Sequence, residues 1–412
     1  MSGTNARDFD VVIVGAGVVG AAMASLLVAR KLSAPGRVAV IADRFAAQPK
    51  ADADWDLRVF ALSRASERLL KACGVWDLLP AQRIFPYERM CVWDAGGEPH
   101  GMGSLRFDCA RIGEPNLGFI VDGGVLQWQC LQGARTAGAV LIDAGLERLA
   151  AADTHISIRL RDGRELRSQL LIAADGSEST TRELLGIETA GHAYHQDALV
   201  AHVRTAKPHG NTAWQRFLES GPLAFLPLPD GRSSIVWSTS IAEAARLRAL
   251  EPKAFGAALT AAAGEFLGEC ELSSPPASFP LKVQYALEYT RPRAVLLGDA
   301  AHVVHPLAGQ GLNLGLQDCA ALAEVLGQAG GGAHFGEHRL LRRYERRRRS
   351  ENLLAAAALD GLEQLFSNPH PLSAAIRSAG LSFVDSAPFV KRRLAQHALG
   401  LGADSPEFLR AD

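Results

Sequence analysis

Residues 10–14, Asp-Val-Val-Ile-Val, run straight into Gly15-Ala16-Gly17-Val18-Val19-Gly20, and an Ala- and Leu-rich stretch follows to about Arg30. The apolar run reads as a buried parallel strand and the stretch after the glycines as a helix. Ser33-Ala34-Pro35-Gly36 turns the chain into a second apolar run, Val38–Ala42, which ends at Asp43. A strand–helix–strand unit with its glycines in the first connection commits the chain to an α/β core. Gly15 permits the tight turn, Gly17 lets a diphosphate approach the backbone, and Gly20 allows close packing of helix on strand. The Asp43 carboxylate can accept hydrogen bonds from ribose hydroxyls, which argues against a 2′-phosphate at this place. Arg44 can lie over an adenine, reach a phosphate or simply be solvated. The unit implies a dinucleotide site without choosing between NAD and FAD.

Two later segments add to it. Asp175-Gly176 closes a buried run, Leu170–Ala174, with Ser179 and Arg182 on the next turn. Ala294–Leu297 leads into Gly298-Asp299-Ala300-Ala301-His302, and then into His305-Pro306-Leu307-Ala308-Gly309-Gln310-Gly311-Leu312-Asn313 and Asp318. A strand ending on an Asp, a Gly-rich loop and a helix start aim a carboxylate and free backbone N–H groups at one small volume.

Between these pieces, Leu57–Leu79 reads as helix, with Ser63 or Ser66 as its cap, and Val125–Gly138 as another. Residues 140–173 hold several strands, with Asp162-Gly163 as a hairpin turn. Residues 85–120, 197–240 and Phe279–Tyr289 are strand-like, and residues 241–269 form an Ala-rich helix pair. The chain after Asp318 reads as helix to about Gly400, with a short loop at Gly330–Gly332. The expected architecture is therefore α/β: a discontinuous Rossmann-like domain (1–82, 113–189, 289–340), an inserted β-sheet substrate domain (83–112, 190–288) and a C-terminal helical region (341–412).

Composition narrows the class. With 412 residues, 48% hydrophobic and 21% charged, the chain can bury a large core, and a net charge of −1 gives no general attraction to nucleic acid. The six cysteines show neither C-x-x-C pairs nor metal-ligand spacing, so no metal is expected and the reading is a reducing, cytoplasmic setting. Neither a signal peptide nor a spanning helix is expected. Arg342-Arg343 and Arg346–Arg349 form a basic run that reads either as a solvated helix face or as a contact for anionic lipid. The apolar stripes of 351–399 read as core or as membrane anchor.

Taken together, the three nucleotide segments resemble the signatures of the class A FAD-dependent aromatic monooxygenases, the para-hydroxybenzoate hydroxylase-like flavoproteins. Within that group, His305-Pro-Leu-Ala-Gly-Gln-Gly-Leu-Asn313-x-Gly315-x-x-Asp318 resembles the signature of the ubiquinone-biosynthesis hydroxylases. Asp56-x-Arg58-x-x-Ala61-Leu62-Ser63, Gly74-Val75-Trp76, Gln215–Leu218, Gly221–Leu228 and Ser234–Ser238 carry the likeness along essentially the whole chain.

The resemblance implies FAD as cofactor, NAD(P)H as reductant and dioxygen as co-substrate. It implies hydroxylation of a polyprenylated phenol or quinol through a C4a-hydroperoxyflavin. Asp299 would then bond the ribityl chain, and Gly309–Asn313 would set backbone N–H groups against the flavin. Arg58 and Gln127 would lie near the diphosphate or the flavin, and Asp175 would belong to a motif shared with transient nicotinamide binding. His305 and Pro306 are the catalytic candidates beside the flavin, and His302 reads as structural. Phe225, Pro227 and Trp237 are the candidate substrate contacts. Two positions depart from the family pattern: Asp43 stands where a Glu is usual, and Gly123-Gly124 replaces an Asn-Arg-type pair. A polyprenyl reductase, another aromatic hydroxylase of the fold or a flavin-holding subunit of a biosynthetic complex are the alternatives. Membership of such a complex and contact with the inner face of a membrane stay open, as does oligomeric state.

Overall fold

The computed structural model describes residues 7–50, 52–101, 103–305, 309–329, 332–367, 371–400 and 406–409. The chain opens with β1 (Arg7–Val14), α1 (Val18–Ala29) and β2 (Val38–Ala42), the unit expected from the glycine pattern. β3 (Val59–Leu62), α2 (Arg64–Ala72), β4 (Ile84–Tyr87), β5 (Arg89–Asp94), β6 (Ser104–Asp108), the short α3 (Cys109–Ile112), β7 (Gly118–Asp122) and α4 (Gly123–Thr136) follow. Leu57–Leu79 is thus not one helix. Val59–Leu62 pairs antiparallel with Phe119–Asp122, so the ladder overrides local helical preference. The helix starts only after Ser63, whose hydroxyl accepts from the Ser66 N–H as N-cap.

β8 (Val140–Asp143), β9 (Leu146–Ala151), β10 (Ile156–Leu160), β11 (Glu165–Ala173) and α5 (Thr180–Leu184) return to the first sheet. The long β12 (Thr189–Thr205) leads to β13 (Thr212–Leu218), β14 (Gly221–Pro227) and β15 (Ser233–Ser240). The expected helix pair is α6 (Ile241–Arg248) and α7 (Pro252–Ala263). Then come β16 (Cys270–Leu272), β17 (Ala277–Ala286), β18 (Thr290–Arg291), β19 (Ala294–Leu296) and β20 (His302–Val303). The chain continues as α8 (Gln310–Gly327), α9 (His338–Ser367), α10 (Pro371–Ser386) and α11 (Pro388–Ala398). Of the loop expected at Gly330–Gly332, Gly330 and Gly331 lie outside the described residues; Gly332 begins a short 3-10 turn to His334.

The first sheet has the order β18-β19-β11-β1-β2-β8, and its five strands from β19 to β8 are parallel. One face packs on α1, α4 and α8 through residues such as Val11, Ile13, Met23, Leu126 and Leu322. The other is covered by the β9–β10 meander through Phe9, Val12, Ile156, Ile158 and Leu160. Because β1 lies between β2 and β11, chain connections leave it in both directions. A crevice opens there at the carboxyl ends of the strands, the place where open α/β sheets hold ligands.

The second sheet has nine strands, in the order β20-β17-β12-β15-β14-β13-β5-β6 with β16 beside β12. Leu199, Leu223, Phe225, Ile235 and Trp237 on one face pack on α6 and α7 around Phe255 and Leu259. The opposite face is turned to the first domain. A small sheet, β3-β7-β4, bridges the two.

The basic run lies on α9 and is neither uniformly solvated nor turned as a block to a membrane. Arg348 is buried against Asp318, Arg347 pairs with Glu324 at 2.5 Å, and Arg342 pairs with the buried Glu345 at 2.9 Å. Arg343 and Arg346 are the exposed members. Among the described residues no helix is long and apolar enough to cross a membrane.

Candidate active site

The glycine turn is built as the sequence requires. Gly15 has φ +110°, and a Cβ there would stand 2.2 Å from the Ala174 carbonyl oxygen. A Cβ on Gly20 would stand 2.1 Å from the Gly15 carbonyl oxygen, so the first helical turn presses on the strand end. A Cβ on Gly17 would meet no protein atom within 4 Å. That glycine leaves open room in front of the α1 N-terminus, where no side chain caps the first N–H groups. Gly15, Gly17, Asp43, Arg44, Gly145, Arg161, Asp175 and Gly176 line one cleft of about 470 Å³ there. The Asp43 side chain is 67% exposed in it, with the Arg161 guanidinium 3.5 Å away.

Asp175, on the wall of this cleft, also holds the turn that follows it. Its carboxylate accepts from Ser179 Oγ at 2.5 Å, Thr181 N at 2.9 Å and Thr181 Oγ1 at 2.8 Å. It therefore caps α5 and shapes the turn. Arg182, itself buried, donates to the carbonyls of Ala300 and Ser177, which ties this turn to the segment after Asp299.

Gly298-Asp299 sits at the end of β19. The Gly298 N–H donates to Asp318 Oδ2 at 3.0 Å, and His302 Nε2 lies 2.6 Å from the same oxygen. Arg348 Nε and Asn352 Nδ2 donate to the other oxygen at 2.7 and 3.2 Å. Asp318 is 0% exposed. Burial alone would raise its pKa, but His302 and Arg348 hold it down at about 2. This cluster fastens the Asp299 turn to α8 and α9, and His302 is structural as expected. Asp299 is open to the cavity beyond it, although protein surrounds it on the other sides. Desolvation pushes its carboxyl above the usual range, against the nearby His302 and Arg58.

α8 starts at Gly309, in the left-handed region with φ 62° and no side-chain cap, so the first N–H groups of the helix face a cavity. Asn313 holds that start. Its Oδ1 accepts from Ser63 N at 2.9 Å and Ser66 Oγ at 2.7 Å, and its Nδ2 donates to the carbonyls of Ala61 and Gly309. The Asn313 side chain is used up inside the protein, which leaves the backbone as its means of touching a ligand.

The cavity has a volume of about 1290 Å³. Gly17, Arg58, Gln127, Asp299 and the Gly309–Asn313 helix start line it on one side. On the other, the second sheet contributes Ala198, Val200, Ala213, Gln215, Leu226, Ser234 and Val236. Phe225, Pro227 and Trp237 are not on this wall. Phe225 and Trp237 sit at the alternate positions of β14 and β15 and pack toward α6 and α7, and Pro227 shares the parity of Phe225. The strand period of two decides the face, and the expected substrate contacts are corrected accordingly. The wall's central strands carry small residues there, Ala198, Val200 and Ala213, flanked by Trp214, Phe279 and Leu281, with Ser234 as a buried hydroxyl whose Oγ has no hydrogen-bond partner among the described residues.

His305 also stands off the wall. It is buried edge-on to Tyr194, with ring centroids 4.9 Å apart, and Tyr194 Oη donates to Asp360 at 2.8 Å. Burial lowers its pKa to about 4, so the imidazole is neutral at neutral pH. Pro306 lies outside the described residues.

A family model described as an FAD binding domain matches residues 133–357. The chain is 35% identical to the 3-demethoxyubiquinol 3-hydroxylase of Escherichia coli K12, over 95% of this chain and 98% of that one. It is 36% identical to the ubiquinone hydroxylase UbiL of Rhodospirillum rubrum, over 100% and 94%. It belongs to the FAD-dependent hydroxylases of ubiquinone biosynthesis.

The solved p-nitrophenol 4-monooxygenase PnpA of Pseudomonas putida shares this hydroxylase's fold, with TM-score 0.75 over 97% of this chain and 99% of that one at 18% identity. The residues present fit an FAD. The open space before Gly17 and the uncapped α1 N-terminus suit a diphosphate, and the exposed Asp43 suits a ribose. Asp299 and the α8 start face one volume from two sides. Gly123 lies against the segment that carries Arg58: a Cβ there would stand 2.2 Å from the Arg58 carbonyl oxygen.

Reading the sequence of the hydroxylase missed Arg348, Ser234 and Gln215. Arg348 was hidden in a run of like residues. The cavity face of the sheet was open to detection: Ala198, Val200, Ala213 and Ala224 are small at one parity, while Leu223, Phe225 and Trp237 are large at the other.

Proposed function

We propose that this chain hydroxylates the aromatic ring of a polyprenylated phenol or quinol in ubiquinone biosynthesis, with FAD as cofactor, dioxygen as co-substrate and NAD(P)H as reductant. The observation that carries the reading is the long apolar cavity that begins at the Asp299 turn and the α8 start and runs along the second sheet.

Bound FAD would accept reducing equivalents and activate dioxygen for transfer to the ring. The protein's part is binding, orientation and exclusion of water. Gly17 and the α1 N-terminus take the diphosphate, Asp43 the ribose hydroxyls and Asp299 the ribityl chain. Arg58 and Gln127 complete the wall beside them. Gln310, Gly311 and Leu312 offer backbone N–H groups, backed by the helix dipole, to negative charge on the flavin's pyrimidine edge. Gly298 and Asn313 hold these two supports in place.

Val200, Ala213, Leu226 and Val236 form a dry surface against which an aromatic ring lies. Ser234 and Gln215 are the polar groups on it that can take the ring's oxygen substituents. His305 steadies the chain leading to the α8 start through its packing on Tyr194. The enzyme works in the cytoplasm, at the inner face of the membrane that dissolves its substrate. It works there beside the other enzymes of the pathway.

Deletion of the gene, followed by mass spectrometry of prenylated quinone intermediates, tests this. A mutant should accumulate an intermediate that lacks one ring hydroxyl. A complete and normal quinone profile in a strain without a second such hydroxylase would overturn the proposal.

A further inference from the structure

Among the described residues, the three most exposed large apolar side chains, Phe389, Leu354 and Phe383, lie in the C-terminal helices, and Leu394 lies with them. Phe389 is 76% exposed, Leu354 69%, Phe383 65% and Leu394 46%. Leu354 on α9 and Leu394 on α11 also line the cavity, together with Ala358, His397 and Ala398. The cavity therefore opens to the outside between α9 and α11, and its rim is apolar. Beside that rim, α11 carries Arg392 and Arg393, both exposed.

The neighbouring charges are accounted for inside the fold. Lys391 is turned inward, pairs with Asp385 at 2.7 Å and lies over the Phe107 ring; Arg106 pairs with Asp385 as well. What faces outward from α11 is Phe389, Val390 and Leu394 next to two arginines. The inner side of α11 is held by Ala395 and Leu399, the latter packed with Cys109 and Leu117.

We propose that the outer face of α10 and α11 docks on a bilayer of anionic lipid, so that the cavity mouth between Leu354 and Leu394 meets the acyl region and admits a polyprenyl tail from it. The proposal rests on the substrate class proposed above. Two arguments on this surface choose a lipid over another occupant. Exposed aromatic and aliphatic side chains interleaved with arginines match the boundary between headgroups and acyl chains. The apolar rim is continuous with an apolar cavity, so a chain extracted from lipid would never cross water. The basic run of α9 offers less, since Arg348 is buried, Arg342 and Arg347 are paired, and the exposed Arg343 and Arg346 do not line the apolar mouth.

The test is flotation of the FAD-loaded enzyme, without substrate, on vesicles of equal parts phosphatidylethanolamine and phosphatidylglycerol, and on vesicles of phosphatidylcholine alone. The wild type should bind the first far better than the second. Each arginine near an anionic surface contributes about fivefold, so an Arg392→Gln/Arg393→Gln variant should bind about thirtyfold less well. A Phe383→Ser/Phe389→Ser variant should lose binding to both. Both variants should keep wild-type flavin content. Both should turn over a short-tailed, water-soluble substrate as the wild type does, while losing turnover of a long-tailed substrate held in the anionic vesicles. Absence of wild-type binding to the anionic vesicles, or equal binding by wild type and variants, would overturn the proposal. So would a wild-type dimer that these substitutions turn into a monomer, since a second copy would then cover the face. Failure to hydroxylate either substrate while vesicle binding persists would overturn the proposed function and leave the docking surface standing.

Discussion

Asp318 has no exposed atom and yet bears a charge. Gly298, His302, Arg348 and Asn352 all reach its two oxygens. Replacing Asp318 with Asn would take from Arg348 its buried counter-charge and leave it only the part-exposed Glu351, which costs up to about 3–5 kcal/mol. Chaotrope unfolding of the FAD-free protein should show that loss. The glycine turn offers a cleaner separation of fold from ligand. Gly15→Ala would force a Cβ into the Ala174 carbonyl at positive φ and should lower the unfolding midpoint. Gly17→Ala touches no protein atom, so stability without FAD should be unchanged while FAD affinity, read by flavin titration, falls about tenfold or more.

His305 gives a prediction in pH. Its pKa falls from an ordinary 6.5 to about 4 on burial, so the unfolded chain binds the proton first. Stability contributed by the neutral imidazole is present above pH 6.5 and is lost as pH falls toward 4, by about 3 kcal/mol at most. Asp318 is also held below its ordinary value, by His302 and Arg348 against the burial that would raise it, and its contribution is lost only below about pH 4. A His305→Gln variant should therefore show a shallower fall in unfolding free energy between pH 6.5 and 4 than the wild type. An unchanged slope would show that His305 is not the neutral buried group described.

At the scale of elements, α8 is set in place by a side chain from its own first turn. Asn313→Leu would leave Ser63 N and the Ala61 carbonyl without partners, at about 1–3 kcal/mol for each buried group. Flavin binding should weaken with it, because the α8 start would no longer be fixed against β3.

This corner also shows what the sequence makes legible. The βαβ unit and the helix pair expected over 241–269 are local patterns; both are present, the pair ending at Ala263. Val59–Leu62 is not local: its strand state exists because Phe119–Asp122 lies beside it. The error at Phe225 and Trp237 was one of parity. Large aromatic residues draw attention as ligand contacts, but on β14 and β15 they serve the packing of α6 and α7, and the small residues between them make the cavity. Arg348 could not be told from the five other arginines of its run by composition, because partner and burial are set by where α9 crosses α8.

At the scale of the molecule, two sheets share one cavity. The parallel sheet supplies the crevice beside β1 and the supports at Asp299 and α8, and the nine-stranded sheet supplies a largely apolar wall with small residues at its centre. The C-terminal helices close the far end and leave an apolar opening. This division predicts that substitutions on the wall change substrate use more than flavin binding. Val236→Trp should fill space beside Ser234, raise KM for substrate by about tenfold or more and leave the FAD content unchanged.

The most direct test of the central claim uses labelled oxygen. The purified, FAD-loaded enzyme is supplied with NAD(P)H, a polyprenylated phenol in vesicles and ¹⁸O₂, and the product is analysed by mass spectrometry. The expected product carries one new ring hydroxyl with one ¹⁸O atom, and none forms without oxygen. Turnover of the substrate under anaerobic conditions, or a product without the label, would contradict the assignment of this protein as a ring hydroxylase.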